Sequence, residues 1–353
     1  MSKQQTTKQQ TVKQPVPVTP ILLGYDPGSS GVRIVGNDGS AAISAHVSAN
    51  GAQAITALEG MGRRKRPLKI QVGKLAYYVG DTAHDYGRPI ENLNHDRQSG
   101  TPEMKAVFYA TLTHYQKKHG TFAAPLKVVV GLPAQFITGP DAAKNKASVK
   151  AWLVGAHNWR ADDSDCSVEI EEVRLTGQAV GAVFDYFLDD HGLWLDDRKD
   201  LFKQSEIGVI SIGFDTIELM VTKPEGGKPV TVDAMTGGDK FGARWLLERI
   251  DPNHDYSFGS LEPRLRDGSL DIPADVLAGW ESEVLGFIER KWGRARKRLG
   301  AVIVVGGGAI LLRAPLQRYF GEQAVVPAEA TLAVARGLYK LLLNQSKAQA
   351  EKN

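Results

Sequence analysis

The feature that most restricts this chain occurs twice. Residues 21–36, ILLGYDPGSSGVRIVG, and residues 207–222, IGVISIGFDTIELMVT, each run as an apolar strand, a glycine-containing turn with an acid or a hydroxyl, and a second apolar strand directly after. A turn that only reverses the chain needs no more than Asn-Gly or Asp-Gly. Both turns here are longer and richer. One device used in each half predicts two related lobes facing a shared crevice, with two unrelated hairpins as the alternative on geometry alone.

The rest of the chain alternates in the same way. Apolar periodicity predicts strands at 21–25, 32–36, 41–47, 69–79, 126–131, 168–175, 207–213, 216–222, 229–235 and 301–305. Helical spacing covers 102–119, 140–154, 177–190, 238–250, 273–298, 310–319 and 328–344. The pattern is that of an α/β fold. A chain of 353 residues suits two domains or one large α/β unit divided into lobes. Hydrophobic residues at 42% and charged residues at 24% place it with soluble globular proteins rather than disordered or membrane ones. No apolar run approaches the roughly 18 residues of a spanning helix, and the N-terminus is polar where a signal peptide is apolar, so a cytoplasmic protein without membrane insertion is expected. Residues 1–20, rich in Gln, Thr and Lys and ending in Pro-Val-Pro, read as a disordered arm, and 345–353 as a second disordered tail. Cys166 is the single cysteine, which excludes an internal disulfide framework and metal-ligand spacing. A net charge of +3 does not argue for direct nucleic-acid binding.

The glycine turns carry the chemistry. In DPGSSGVR, Gly28 and Gly31 let the backbone approach a ligand, and the hydroxyls of Ser29 and Ser30 join consecutive N–H groups in a cradle for phosphate oxygens. Asp26 at the strand end suits orienting water around a magnesium ion, and Arg33, seven residues on, suits placing positive charge on a phosphate. Gly213 and Thr216 supply a backbone approach and a hydroxyl in the second turn. Gly306, Gly307 and Gly308 follow a strand and precede a helix whose first N–H groups are unpaired. Gly237 and Gly238 stand just before another predicted helix. Four such loops, each after a strand, suggest a nucleotide gripped from both sides of a cleft.

The order of these segments resembles the actin superfamily, in its bacterial ParM-like, plasmid-segregation branch. DPGSSGVR is similar to the first phosphate loop, SIGFDTIEL to the second, VIVVGGGAILL to the adenosine loop, and AEATLAVARGLYKLL to the closing helix, while VVVGLPAQF adds a strand-end Gly-Leu-Pro of that branch. The resemblance covers residues 21–344. It implies two α/β lobes hinged over Mg-ATP: lobe I at 21–190 with an outer part at 41–100, lobe II at 191–327 with an outer part at 236–298, and a closing helix, 328–344, returning to lobe I. RLTGQAVGAVFDYF resembles the helix that presents a glutamine to the attacking water, which makes Gln178 the catalytic partner of Asp26. Phe214, Asp215, Lys240 and Ala309 complete the implied cofactor set within the same loops.

One position departs from the family. Where the second phosphate loop opens with an aspartate that holds the magnesium's water shell, this chain has Ser211, and Glu218 stands where a second acid, usually Asp, is expected. The resemblance therefore implies an ATPase slowed at the metal, with Asp215 as the candidate for compensation and a tolerated serine as the alternative. It also implies a filament that assembles with itself and serves either plasmid segregation through a DNA-binding or membrane-associated adaptor, or a cytoskeletal scaffold. A non-polymerising ATP-binding adaptor of the pilus-assembly type is the other reading. A chaperone is disfavoured because no substrate domain follows residue 344, and a sugar kinase because Gln178 suits water rather than deprotonation of a hydroxyl. The basic run GRRKRP at 62–67 is a candidate filament or partner contact, whereas the run at 289–300 suits a helix C-terminus.

Overall fold

The computed structural model describes residues 19–49, 65–92, 94–226 and 228–351, and two sheets organise them. Residues 1–18 of the expected arm at 1–20, and the basic residues Arg63 and Arg64, lie outside the described residues. The first sheet contains β1 (Ile21–Pro27), β2 (Gly31–Gly36), β3 (Gly39–Ser44), β4 (Val47–Ala49), β5 (Leu68–Val72), β6 (Leu75–Val79), β7 (Arg88–Ile90), β8 (Leu126–Leu132), β9 (Gly155–Ala161) and β10 (Ser164–Gly177), in the order β3-β2-β1-β8-β10-β9-β5-β6-β4-β7. The second contains β11 (Glu206–Ile212), β12 (Ile217–Glu225), β13 (Lys228–Thr231), β14 (Gly237–Asp239), β15 (Leu299–Val305) and β16 (Ala324–Val325), in the order β13-β12-β11-β15-β16 with β14 on β12.

The two sheets share one plan. β1 pairs antiparallel with β2 and parallel with β8, which pairs parallel with β10; β11 pairs antiparallel with β12 and parallel with β15, which pairs parallel with β16. This is the duplication read from the two hairpins. The central parallel strands are buried on both faces, so LKVVVGL and LGAVIVV are near-continuous apolar runs rather than alternating ones. Beyond β10 the first sheet continues through β9 into an outer part. Outside the second sheet lie the helices Arg244–Ile250, Phe258–Arg266 and Ala274–Trp292.

Several elements differ from expectation, each for a local reason. The run 69–79 is two strands, because Gly73 takes φ +60° at the first position of a two-residue hairpin. The run 41–47 is likewise divided between β3 and β4. β9 was absent from the apolar pattern, yet its alternate residues His157, Trp159 and Ala161 are buried. The expected helix at 238–250 starts only at Arg244, since Gly237–Asp239 pairs with Leu219, Glu218 and Ile217 as a strand. The closing helix spans Ala333–Ala350, well past 344, and Arg174 Nη1 donates to Gln345 Oε1 at 2.6 Å along the part expected to be a tail.

Each lobe has its own core, and a third apolar cluster joins them. It gathers Leu22 and Val129 from the first sheet, Ile207, Val209 and Ile303 from the second, Ala179, Ala182, Val183 and Phe187 from the helix Gln178–Phe187, and Val334, Leu338 and Leu342 from the closing helix. The two helices cross at glycines. A Cβ on Gly337 would lie 1.7 Å from Gly181 O, and one on Gly181 would lie 2.4 Å from Val334 O. Beside the crossing, the buried Asp185 carboxylate accepts from Arg336 at 2.6 and 2.8 Å, and Lys340 Nζ lies 3.2 Å from its Oδ1. No helix among the described residues is long and apolar enough to cross a membrane.

Helix propensity and packing make opposite forecasts here. In a helix interior Gly→Ala ordinarily stabilises by about 0.5–1 kcal/mol. Gly286, inside Ala274–Trp292, has only the flexible end of Arg290 near its added methyl, at 3.4 Å, so Gly286→Ala is expected to gain about that much. Gly337→Ala is expected to lose about 1–3 kcal/mol or more, because backbone must move. Urea unfolding of the two variants checks this, and equal signs would remove the crossing as a packing constraint.

Candidate functional site

The two duplicated turns face each other across a cleft with an empty volume of about 1220 Å3, its open mouth included. Lobe I contributes Asp26, Gly28, Ser29, Ser30 and Arg33, and lobe II contributes Ser211, Gly213, Phe214, Asp215 and Thr216. Gly306, Gly307 and Gly308 form a further wall, and Gln178 lies at the start of its helix. β10 runs into that helix without an intervening residue, which carries Gln178 to the strand ends of the sheet that presents Asp26.

Asp26 and Arg33 are directly cross-strand in the β1–β2 hairpin, which explains their seven-residue spacing. The Asp26 carboxylate is buried; its Oδ1 accepts from Gln178 Nε2 at 2.7 Å and its Oδ2 lies 3.9 Å from Arg33 Nη1. Arg33 Nη1 also donates to Gly31 O at 2.9 Å, folding the turn over its own backbone. Burial pushes the Asp26 pKa up, while the Arg33 charge and the Gln178 hydrogen bond pull it back. The carboxylate is thus fixed in direction by one amide and balanced by one cation.

Lobe II repeats the geometry with different chemistry. Ser211 and Glu218 are cross-strand in β11–β12 and again seven residues apart, so Ser211 occupies the counterpart of Asp26 and Glu218 that of Arg33. Glu218 is 4% exposed, and its Oε1 accepts the Ala134 N–H at 3.2 Å, tying lobe II to the chain after β8. Burial, and then the nearby Asp26 charge, raise its pKa from 4.5 to about 7. Asp215 is already engaged, with Arg244 Nη1 at 3.3 Å from its Oδ1.

The third loop needs its glycines. Gly306 has φ +94° and a Cβ there would meet Ile212 O at 2.3 Å, so the loop lies directly on the end of β11. Ala309 is fully buried behind it and does not line the cleft. Gly31, Gly237, Gly238 and Lys240 are likewise outside the lining: Gly31 begins β2, the next two lie in β14, and Lys240 is exposed just beyond that strand. The reading of 237–238 as a loop before a helix is corrected accordingly.

Sequence reasoning missed the residues that brace the first turn and cover the mouth. From the 3-10 turn His95–Ser99, Arg97 Nη2 donates to Gly28 O at 3.1 Å and Gln98 Nε2 to Pro27 O at 3.2 Å. From Phe258–Arg266, Glu262, Leu265 and Arg266 line the cleft. Glu262 meets His46 at 3.1 Å, and Arg266 donates to Ser44 at 2.8 Å and to Asp81 at 2.6 Å, so the outer parts of the lobes touch over the opening. NHDRQSG carries no pattern that separates a brace from an ordinary polar turn.

Residues 24–181 match the family of actin like proteins, N terminal domain. The chain has an actin-like fold. Its fold agrees with that of the ParM filament subunit from Clostridium botulinum at a TM-score of 0.71 and 17% identity, over 93% of this chain and 100% of that one. Alp7A, an actin-like protein, gives 0.71 at 15% identity over 95% and 99%, and Ta0583, an archaeal actin homologue in complex with ADP, gives 0.66 at 14% over 94% and 100%. No curated protein sequence matches the chain. The actin-like fold accounts for the two-lobed α/β arrangement and for the helix that closes it.

Glu218 gives the cleft a pH signature. Its folded pKa lies above its ordinary value, so the stability it contributes is complete below about pH 4.5 and is lost as the pH rises through about 7. Glu218→Gln keeps an acceptor for Ala134 and has no proton to lose. The variant is expected to be more stable than wild type at pH 8, on the order of 2–3 kcal/mol, and equal to it near pH 4.5. Denaturant midpoints at the two pH values measure this; a difference of the same size at both would leave Glu218 without that role.

Proposed function

We propose that this actin-like chain binds Mg-ATP in the cleft, hydrolyses it slowly, and assembles into filaments of its own subunits. The observation that carries the reading is the Asp26–Gln178 pair, a buried carboxylate and an amide held at 2.7 Å beside the first of two facing glycine turns. Glycine turns offer backbone N–H groups to phosphate oxygens, and Gly306 and Gly308 leave room where any side chain would strike Ile212. Asp26 fits the outer shell of magnesium, which keeps most of its waters and needs one or two carboxylates. Its Oδ2, 3.9 Å from Arg33, is open to accept a hydrogen from such a water. Bound magnesium supplies positive charge to the phosphates.

The remaining work falls to the chain. Arg33 places a cation beside Asp26, and Gln178, with its Nε2 on Asp26, has its carbonyl oxygen available to orient a water. A neutral amide positions a water and does not take its proton, so turnover is limited by the absence of a strong base. Ser211 adds to this, since a hydroxyl holds no charge against a hydrated cation. The relatives support both halves of the proposal: Ta0583 was seen in complex with ADP, and the Clostridium botulinum ParM as a filament. Head-to-tail contacts that do not close into a ring generate such filaments. Plasmid segregation through an adaptor, in the cytoplasm, is the use we assign. Ser211 also favours a second reading, a non-polymerising ATP-binding adaptor.

Asp26→Ala is expected to abolish magnesium-dependent binding of a non-hydrolysable ATP analogue, and Gln178→Ala to spare that binding while lowering phosphate release about 10- to 1,000-fold. Calorimetry and a phosphate-release assay give the two numbers. Unchanged binding in the first variant removes Asp26 from the site, and wild-type release in the second assigns the water elsewhere. Pelleting with and without Mg-ATP divides the readings: protein that binds ATP and stays in the supernatant is the adaptor.

A further inference from the structure

Three guanidiniums line the cleft, those of Arg33, Arg97 and Arg266. Two of them are partnered by acids: Arg33 lies 3.9 Å from Asp26, and Arg266 lies 2.6 Å from Asp81 and 3.6 Å from Glu262. Arg97 differs. It is 7% exposed, and among the described residues it forms no ion pair. The acids whose field it feels are committed to other groups, Asp215 to Arg244 at 3.3 Å and Glu103 to Asn92 at 2.8 Å. Tyr25, the other ionisable group beside it, is kept neutral by burial.

An unpaired charge taken out of water is costly, and burial accordingly lowers the Arg97 pKa. A strut for the first turn does not require this. A guanidinium carries five N–H donors, and the bond that braces the turn, Nη2 to Gly28 O, uses one of them. A neutral side chain braces the same turn next door, where Gln98 reaches Pro27 O. What Arg97 adds is charge and further donors, in a cleft wall that it shares with Asp26, Ser29 and Ser30. Those are the attributes of an oxyanion ligand, and a fork of donors suits phosphate in particular.

We propose that Arg97 binds a terminal phosphate oxygen of the nucleotide and makes the cleft prefer a triphosphate to a diphosphate. The assignment rests on the ATP reading above, which puts the terminal phosphate beside Asp26 and Gln178, at the turn that Arg97 holds. The same side chain then links phosphate to backbone. With the terminal phosphate present, the Arg97 charge is balanced and Gly28 is braced; once it is gone, the charge is again uncompensated and the brace carries it alone. The first turn therefore senses which nucleotide is bound through a residue outside the glycine motif.

The test compares a non-hydrolysable ATP analogue with ADP by calorimetry, in magnesium, on the full chain. Arg97→Gln retains a donor for Gly28 O and removes the charge. It is expected to weaken the analogue about 10- to 100-fold, the worth of a charge-assisted hydrogen bond, and to change ADP by less than about threefold. Arg97→Lys keeps the charge but loses the planar fork, and is expected to retain part of the preference, between that of Arg97→Gln and that of wild type. An Arg97→Gln protein that keeps the preference overturns the assignment, as does equal loss for both nucleotides. Loss of the preference in Arg97→Lys as complete as in Arg97→Gln, or unfolding of both variants by circular dichroism, makes Arg97 a packing residue and overturns it too. Wild-type protein that binds neither nucleotide sinks the ATP reading itself, a result distinct from each of these.

Discussion

The contact on which the rest depends is the crossing of two helices at Gly181 and Gly337, where backbone meets backbone with no room for a methyl group. Close approach of this kind lets the closing helix lie against Gln178–Phe187 and bury Val334, Leu338 and Leu342 in a cluster drawn from both sheets. It also places Arg336 and Lys340 on Asp185, three charges that would be costly to bury singly and that satisfy one another here. Gly24 extends the same constraint to β1, since a Cβ there would lie 2.1 Å from Ala335 O. β1 carries Asp26, and Gln178 begins the helix that holds Gly181. The crossing thus fixes both members of the Asp26–Gln178 pair relative to one another.

Two copies of one hairpin have diverged in charge while keeping their register. In lobe I the cross-strand pair is Asp26 with Arg33, and in lobe II it is Ser211 with Glu218. The acid of lobe II stands on the second strand of its hairpin, outside the cleft lining and accepting the Ala134 N–H. There it costs the folded state more when ionised, because it is buried and shares its surroundings with the Asp26 charge. A serine at 211 relieves what would otherwise be three carboxylates, at 26, 211 and 218, crowded around one low-dielectric site.

What was legible in the sequence was local. The strand–turn–strand hairpins, the helix Pro102–His119 and the glycine loop at 306–308 are fixed by neighbours a few residues apart, so apolar period and turn chemistry were sufficient. β9 was not, because GAHNWRA becomes a strand only by pairing with β10 on one side and β5 on the other. Gly237-Gly238 looked like a loop before a helix because the strand that recruits it, β12, lies some twenty residues earlier. In the site, the residues on the motifs could be named, whereas Arg97, Gln98, Glu262 and Arg266 reach the cleft only through tertiary folding. No spacing rule connects position 97 to position 28.

Two of the contacts between the lobes differ in kind. The inner one is apolar and glycine-packed, and each large side chain buried in it contributes on the order of 1.5–3 kcal/mol. The outer one, over the mouth, is made of His46 with Glu262, His84 with Ser257, Phe258 N–H with Glu91, and Arg266 with Ser44 and Asp81. Such bonds are exchanged against water when broken, at a net cost of about 0.5–1.5 kcal/mol each, and less for ion pairs at the surface. Separation of the outer contact therefore leaves its groups solvated, while separation of the inner one exposes apolar surface. The strands that carry Asp26, Ser211 and Gly306 converge on the inner contact. Movement at the mouth can thus admit or release a ligand while the groups that would act on it stay in register.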